Sequence, residues 1–285
     1  MRIGAHVSTA GGITKAIERA SLIGAEAVQI FASGPQSWRF KMVTDAEAAE
    51  YKQKAQEARI EHTFLHAIYL INLATKTEDS LGKGIDSLVQ YMQVGSAIGA
   101  KGVIFHIGSH KGAGYDAVLK QVAGAMTTVL ERAPKDIWLV IENCAGMGQH
   151  IGAKFADIGT VIREIGSPQV KVCLDTEHAF AAGYDIANKN AINKVMDDFD
   201  KEIGVKNLVA VHANDSKGEL GWGIDRHENI GEGKIGISGF EAIMSHAAFA
   251  NVPFLLEVPG FEDQGPDLKN VNILKDIRTR IGAKA

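Results

Sequence analysis

Eight short runs rich in Val, Ile, Leu and Phe recur along the chain at a mean spacing of roughly 35 residues, the length of a strand, a helix and two loops. They occupy 3–7, 27–31, 63–66, 102–107, 137–143, 170–175, 208–212 and 254–258. Between them, apolar residues return at i, i+3, i+4 and i+7 over 13–23, 46–60, 85–98, 118–130, 155–165, 192–203, 240–247 and 271–281, which predicts a helix after every strand. Gly24, Gly99, Gly166, Gly204 and Gly282 stand just past helical patterns, where a left-handed cap is favoured. Eight such units without a break in composition favour a closed (β/α)8 TIM barrel over an open doubly wound sheet. The 285 residues match the about 250 that one barrel requires, so 1–285 is read as one catalytic domain.

Composition narrows the class. Hydrophobic content of 46% and charged content of 22% are those of a soluble globular protein, and no apolar run approaches the ~18 residues of a membrane span. The opening MRIGAHVSTAGG lacks the succession of a signal peptide, so a cytoplasmic location is expected. Cys144 and Cys173 lie inside apolar runs and outside any CxxC pair, which argues against both disulfides and a thiolate zinc site. A net charge of −4 argues against nonspecific adhesion to nucleic acid.

In a (β/α)8 barrel the active site lies on the loops that follow the strands. His66, His106, Glu142, Asp175, His212 and Glu257 fall at or near the ends of six consecutive runs, and His178, Asp225 and His227 follow in the loops after the sixth and seventh. A single strand-end histidine is most simply a hydrogen-bonded structural residue. Carboxylates in apolar runs are harder to explain without partners, and no Lys or Arg stands at those positions to pair with them.

The donor set is imidazole and carboxylate without thiolate, which suits Zn2+ and also Mn2+ or Fe2+. Nine ligands exceed what one ion uses and suit three, with a carboxylate bridging two of them; Glu142, central among the strands, is the expected bridge. Three divalent ions add +6 to −4, giving a formal +2 with the positive charge at one mouth of the barrel. An anionic phosphate ester is therefore a more natural substrate than a neutral sugar.

The segments IGAHVSTAGG, YLINLA, FHIGSH, VIENCAG, LDTEHAFAAGYD, HANDSKGELGWGIDRHENIGEG and LLEVPG run nearly end to end. In that order they resemble the endonuclease IV family of zinc-dependent apurinic/apyrimidinic (AP) endonucleases, and the motif at 212–233 is the most specific. The resemblance implies a xylose isomerase-like barrel with three Zn2+. It also implies cleavage of double-stranded DNA on the 5′ side of abasic sites, leaving a 3′-hydroxyl and a 5′-deoxyribose phosphate. It divides the ligands into His66, His106 and Glu142 for the first ion; Glu142, Asp175, His212 and Glu257 for the second; and His178, Asp225 and His227 for the third. Glu142 would orient the attacking water as the catalytic carboxylate, and the third ion would stabilise the leaving 3′-oxygen. A monomer without an obligate protein partner is also implied.

The chain departs from the family pattern in places. The loop after the second run reads FASGPQSWRF where many relatives carry Asn and Arg, leaving Trp38 and Arg39 as candidates for stacking and phosphate contact. Tyr69 keeps the aromatic of the next loop, and Lys217 and Arg226 flank the long motif as further DNA-contact candidates. Ile107 replaces a usual Pro, Ala67-Ile68 a polar pair, and Glu177 stands where Cys or Ser is common. His6 and His110 lie near the mouth as donors to ligands or as structural residues; His62, His150 and His246 are not assigned to metal. Asn214 and Ser216 are expected to orient neighbouring ligands. The rival readings are a sugar isomerase or epimerase, which shares this architecture but generally needs one or two ions, and a non-catalytic DNA-binding protein.

Overall fold

Parallel strands buried on both faces need continuous apolar runs, and each of the eight runs forms such a strand in the computed structural model, which describes residues 1–284. The elements are β1 (Ile3–His6), α1 (Lys15–Leu22), β2 (Ala27–Ile30), α2 (Asp45–Glu57), β3 (His62–His66), α3 (Glu78–Ile98), β4 (Gly102–Phe105), α4 (Tyr115–Arg132), β5 (Trp138–Glu142), α5 (Phe155–Ile165), β6 (Val170–Asp175), α6 (Thr176–Ala181), α7 (Ile192–Glu202), β7 (Leu208–His212), β8 (Asp215–Ser216), β9 (His227–Glu228), α8 (Gly236–Ser245), β10 (Phe254–Leu256) and α9 (Leu268–Arg280). Strands β1 to β7 and β10 close a parallel barrel in the order β1-β10-β7-β6-β5-β4-β3-β2. The five glycines expected past helices all have positive φ. Helix α3 starts earlier than its apolar stripe because Glu78 and Asp79 extend its first turn, where carboxylates are favoured. No helix among the described residues is long and apolar enough to cross a membrane.

Two stacked layers inside the barrel explain how it carries a site. Ala27, Phe64, Ile104, Val140, Cys173, Ala210 and Leu255 form a separate buried cluster, one residue from each of seven barrel strands. At the corresponding height β1 contributes Gly4, whose register partners are Ala27 and Leu255. A Cβ there would collide with the Ala27 carbonyl oxygen, so only glycine fits. Strand side chains alternate with period two. Two residues further along each strand direction therefore stand His6, Gln29, His66, His106, Glu142, Asp175, His212 and Glu257. An apolar plug closes the lower barrel and a wholly polar ring lies directly above it.

The structure adds three elements that the periodicity did not mark, α6, β8 and β9. His178 is not on a loop: it lies in α6, a helix begun by Asp175, whose Oδ1 accepts from the His178 amide at 2.8 Å. The long segment after β7 is folded back by the antiparallel pair β8–β9, with Ser216 opposite His227. Buried Asp215 anchors that segment. Its carboxylate accepts from the amides of Ser216, Gly231, Gly233, Ile235 and Gly236 at 2.8–3.2 Å. A Cβ at Gly233 would collide with Asp215 Oδ1, so the loop can wrap the carboxylate only with glycine there.

Asp215→Ala would strand five amides in a buried site. It is expected to lower unfolding stability by about 3 kcal/mol or more, measured by urea denaturation. An unchanged midpoint would show that the loop is held by other contacts.

Candidate metal centre

The polar ring brings its members within touching distance. Glu142, 1% exposed, has four imidazoles around one carboxylate. Its Oε2 lies 3.1 Å from His66 Nε2 and 3.4 Å from His106 Nε2, while Oε1 lies 3.0 Å from His212 Nδ1 and 3.2 Å from His178 Nδ1. His212 Nδ1 also faces Glu257 Oε2 at 3.3 Å and Asp175 Oδ2 at 3.7 Å. Beyond the ring, Asp225 sits between two further histidines, with Oδ2 3.3 Å from His178 Nε2 and Oδ1 3.4 Å from His227 Nε2. Among the described residues, all the ion-pair contacts of Glu142, Asp175, Asp225 and Glu257 are to histidine.

Three sets of donor atoms are close enough to share an ion: His66, His106 and Glu142; Glu142, Asp175, His212 and Glu257; and Asp175, Glu177, His178 and His227. The first two are the groupings expected for the first and second ions. The third joins His178 and His227 as expected, but with Asp175 and Glu177 where the sequence assignment had Asp225. Asp225 contacts both histidines from its half-exposed position at the rim.

The orientation of the histidine rings bears on what they can bind. His66 Nδ1 donates to the Ala67 carbonyl at 2.7 Å, His178 Nδ1 to that of Asn143 at 3.0 Å, and His227 Nδ1 to that of Glu257 at 3.3 Å. His212 Nε2 donates to Gln29 Oε1 at 2.7 Å. A carbonyl oxygen can only accept, so in each ring one nitrogen is committed as donor and the other faces the carboxylates. Metal-ligating histidines show this pattern, because the outer hydrogen bond fixes the tautomer and aims the free lone pair. Among the described residues, His106 Nδ1, His178 Nε2, His227 Nε2 and Glu177 Oε2 are buried without a hydrogen-bond partner. Buried polar atoms are rarely left so. A divalent cation fits this donor set.

Electrostatics give the same picture. Burial lowers His106 to about 4, against the pull of Glu142. Burial opposes ionisation of Asp225, yet the adjacent His178 imidazole, with the charge of His227, holds its carboxyl down at about 2. Burial likewise opposes the Glu142 charge, but His106, His212 and His178 keep it well below the usual carboxylate range. Burial raises Asp175 and Glu177. The charges depend on one another for their stability, as buried ionic groups must.

Neighbouring residues hold these side chains. Asn143 clasps the Asp175 backbone through Oδ1 and Nδ2 at 2.7 and 3.1 Å. Asn214 does what its position suggested: Nδ2 donates to Asp175 Oδ2 at 2.7 Å and Oδ1 accepts from the Glu257 amide at 2.9 Å. Ser216 Oγ donates to Glu177 Oε1 at 3.2 Å. His6 belongs to the ring, with Nδ1 2.9 Å from Gln29 Nε2 and 3.3 Å from Glu257 Oε1. Gln29 carried no chemical signal in the sequence; its two-residue offset from Ala27 was the available clue. His110 and His246 instead accept backbone amides in local turns, each at 3.2 Å.

The DNA-contact candidates lie on the surface at or near the mouth. Tyr69 is 57% exposed, edge-on to Phe31 at 5.6 Å, and its amide donates to the Pro35 carbonyl, tying its loop to that of Trp38 and Arg39. Trp38, Arg39 and Lys217 are exposed. Exposed Arg226 turns one guanidinium nitrogen onto the carbonyl of Asp225 at 2.7 Å, so part of its donor capacity is already used. Leu70, 40% exposed beside Tyr69, was not singled out from sequence. A cavity of about 810 Å³ opens beside His6, His227 and Glu257, walled by Thr9, Arg19, Phe31 and Tyr69.

A family model for xylose isomerase-like TIM barrels matches residues 17–277. The probable endonuclease 4 of Halothermothrix orenii is 37% identical over 276 residues, covering 96% of this chain and 99% of that protein. The crystal structure of endonuclease IV from Thermus thermophilus superposes with a TM-score of 0.87 at 31% identity, covering 98% of this chain and all of that one. A D-tagatose 3-epimerase-like protein shares the fold, with a TM-score of 0.75 at 18% identity over 99% of this chain and 98% of its own. Sequence and architecture agree over nearly the whole length, and the chain belongs to the endonuclease IV family.

Proposed function

We propose that this protein is a single-domain, zinc-dependent AP endonuclease. It hydrolyses the phosphodiester 5′ to an abasic site in double-stranded DNA, leaving a 3′-hydroxyl and a 5′-deoxyribose phosphate. The observation that carries the reading is the set of four histidines, each donating outward from one nitrogen and facing carboxylates with the other. His66, His106 and Glu142 would hold one Zn2+; Glu142, Asp175, His212 and Glu257 a second; His178, Asp225 and His227 a third. Bound there, the ions supply Lewis acidity and a water nucleophile usable at neutral pH.

Glu142 faces the first group with one oxygen and the second with the other, so it would be the carboxylate shared by both groups and the one to orient the attacking water and take up its proton. The new bond joins that water oxygen to phosphorus; the bond from phosphorus to the 3′-oxygen breaks, and that oxygen leaves as an alkoxide that takes a proton from solvent water to become the 3′-hydroxyl. Asp225 and His227 stand at the rim beside the cavity, where the leaving oxygen would be met. Tyr69 and Leu70, with Trp38 and Arg39 on the adjoining loop, offer apolar and cationic contacts to an opened duplex. The epimerase alternative shares the barrel but leaves the group around His178, Asp225 and His227 without a task.

A duplex carrying one tetrahydrofuran abasic analogue is expected to be cut on its 5′ side, with a 3′-hydroxyl that a polymerase can extend. Elemental analysis of the same preparation is expected to find about three metal ions per chain. An intact duplex with metal bound would sink the reading, and ketose formation from an aldose would support the epimerase instead.

A further inference from the structure

We propose that Glu177 is a protein ligand of the ion assigned to His178, Asp225 and His227, so that this ion is held by four protein side chains rather than three. The inference rests on the three-ion reading above and adds a donor to it. Glu177 is fully buried in the first turn of α6, between Asp175, which caps the helix, and His178. Its Oε1 is fixed by Ser216 Oγ and the Arg226 amide, both at 3.2 Å. That anchoring leaves Oε2 buried without any hydrogen-bond partner among the described residues. A donor atom of Glu177 lies within 4.8 Å of donors from His178, His227 and Asp175. His178 Nε2 and His227 Nε2, which face the Asp225 carboxylate at 3.3 and 3.4 Å, are likewise buried without a hydrogen-bond partner. A shared cation would satisfy all three atoms.

The alternative for Glu177 is a purely structural carboxylate that ties α6 to the 216–226 loop. Both of the hydrogen bonds it accepts go to Oε1, however, so a structural role leaves Oε2 unexplained. A mixed nitrogen and oxygen set of this kind binds Zn2+ in four-coordinate geometry and accepts Mn2+ or Fe2+ as well. Zinc so held can still expand to five ligands when a phosphate oxygen arrives. The expected consequence is tighter retention of this ion in the absence of DNA.

The test uses the metal-loaded full-length protein. Crystals of the unsubstituted protein, measured at the zinc absorption edge, are expected to place Glu177 Oε2 about 2.0–2.2 Å from the third ion. In solution, dialysis against a graded chelator followed by elemental analysis is expected to show Glu177→Gln losing one of three ions at about 10–100-fold lower chelator concentration than the unsubstituted protein. The other two ions should be retained as before. Melting of the two metal-free proteins, compared in parallel, separates a lost ligand from a loosened fold, because only the latter lowers the metal-free melting point. A third ion present with Oε2 beyond hydrogen-bond reach, or equal retention in Glu177→Gln, overturns the assignment while leaving the three-ion reading intact. Absence of a third ion from the unsubstituted protein overturns both.

Discussion

Replacing Glu142 by glutamine is expected to lower the rate of phosphodiester cleavage on the order of 10⁴-fold, with binding of an abasic duplex preserved. The side chain keeps its size, so the four imidazoles around it can stay in place, and the DNA-contact candidates Trp38, Tyr69 and Arg226 are untouched. The carboxylate's two proposed functions are what disappear. It presents one oxygen to each of two ligand groups, 3.1 Å from His66 and 3.0 Å from His212. An amide offers one acceptor and one donor, so it cannot bridge two cations, and it cannot take a proton from water. Single-turnover cleavage alongside an electrophoretic mobility assay measures both quantities. Ordinary turnover in the variant would remove Glu142 from the mechanism, and loss of binding in step with activity would make it a structural residue.

Removing the metal is expected to abolish cleavage and to lower the melting temperature by roughly 10 °C or more. Glu142, Asp175, His66, His178 and His212 are each at most 3% exposed. Without ions these groups have only each other, and two carboxylates brought close together in a buried site repel. An ion that binds the folded chain alone, at a thousand times its dissociation constant, contributes about 4 kcal/mol, and several such sites accumulate. Calorimetry before and after chelation, with elemental analysis on both samples, measures the shift. Added Zn2+ should restore activity and melting point together. A melting point unmoved by verified metal loss would mean that the imidazole–carboxylate pairs are sufficient in themselves and that the clusters are not metal sites.

How much of this was legible beforehand differs from residue to residue. The eight strands and their helices followed from period, because a buried parallel strand and an amphipathic helix write different apolar spacings into the chain. The ends of β3, β5, β6 and β7 fell on His66, Glu142, Asp175 and His212 as expected, while His106 and Glu257 lie one residue past β4 and β10. His178 was expected on a loop and lies in α6, since a helix of 6 residues is too short to show a period. Asp215 gave no sign of anchoring the 231–236 loop, because its partners are backbone amides, which every residue type carries. His6 and His110 were both expected near the mouth, yet only His6 stands on the inner face of a strand, and His110 instead accepts the Gly114 amide in a local turn.

What the sequence determined by itself was the barrel, the face on which chemistry would collect and most of the side chains that would collect there. Those are consequences of local periodicity and of where apolar runs stop. Tertiary structure alone decided which donors share a volume, which nitrogen of each histidine faces inward, and that Gln29 and Glu177 lie among them. Each of these depends on a partner brought close by strand register or loop closure, as with His212 and Gln29, 183 residues apart in the chain and 2.7 Å apart in space. Strand alternation can assign a side chain to the interior. Its partners are set by closure of the barrel, which brings the inner faces of all eight strands to one height.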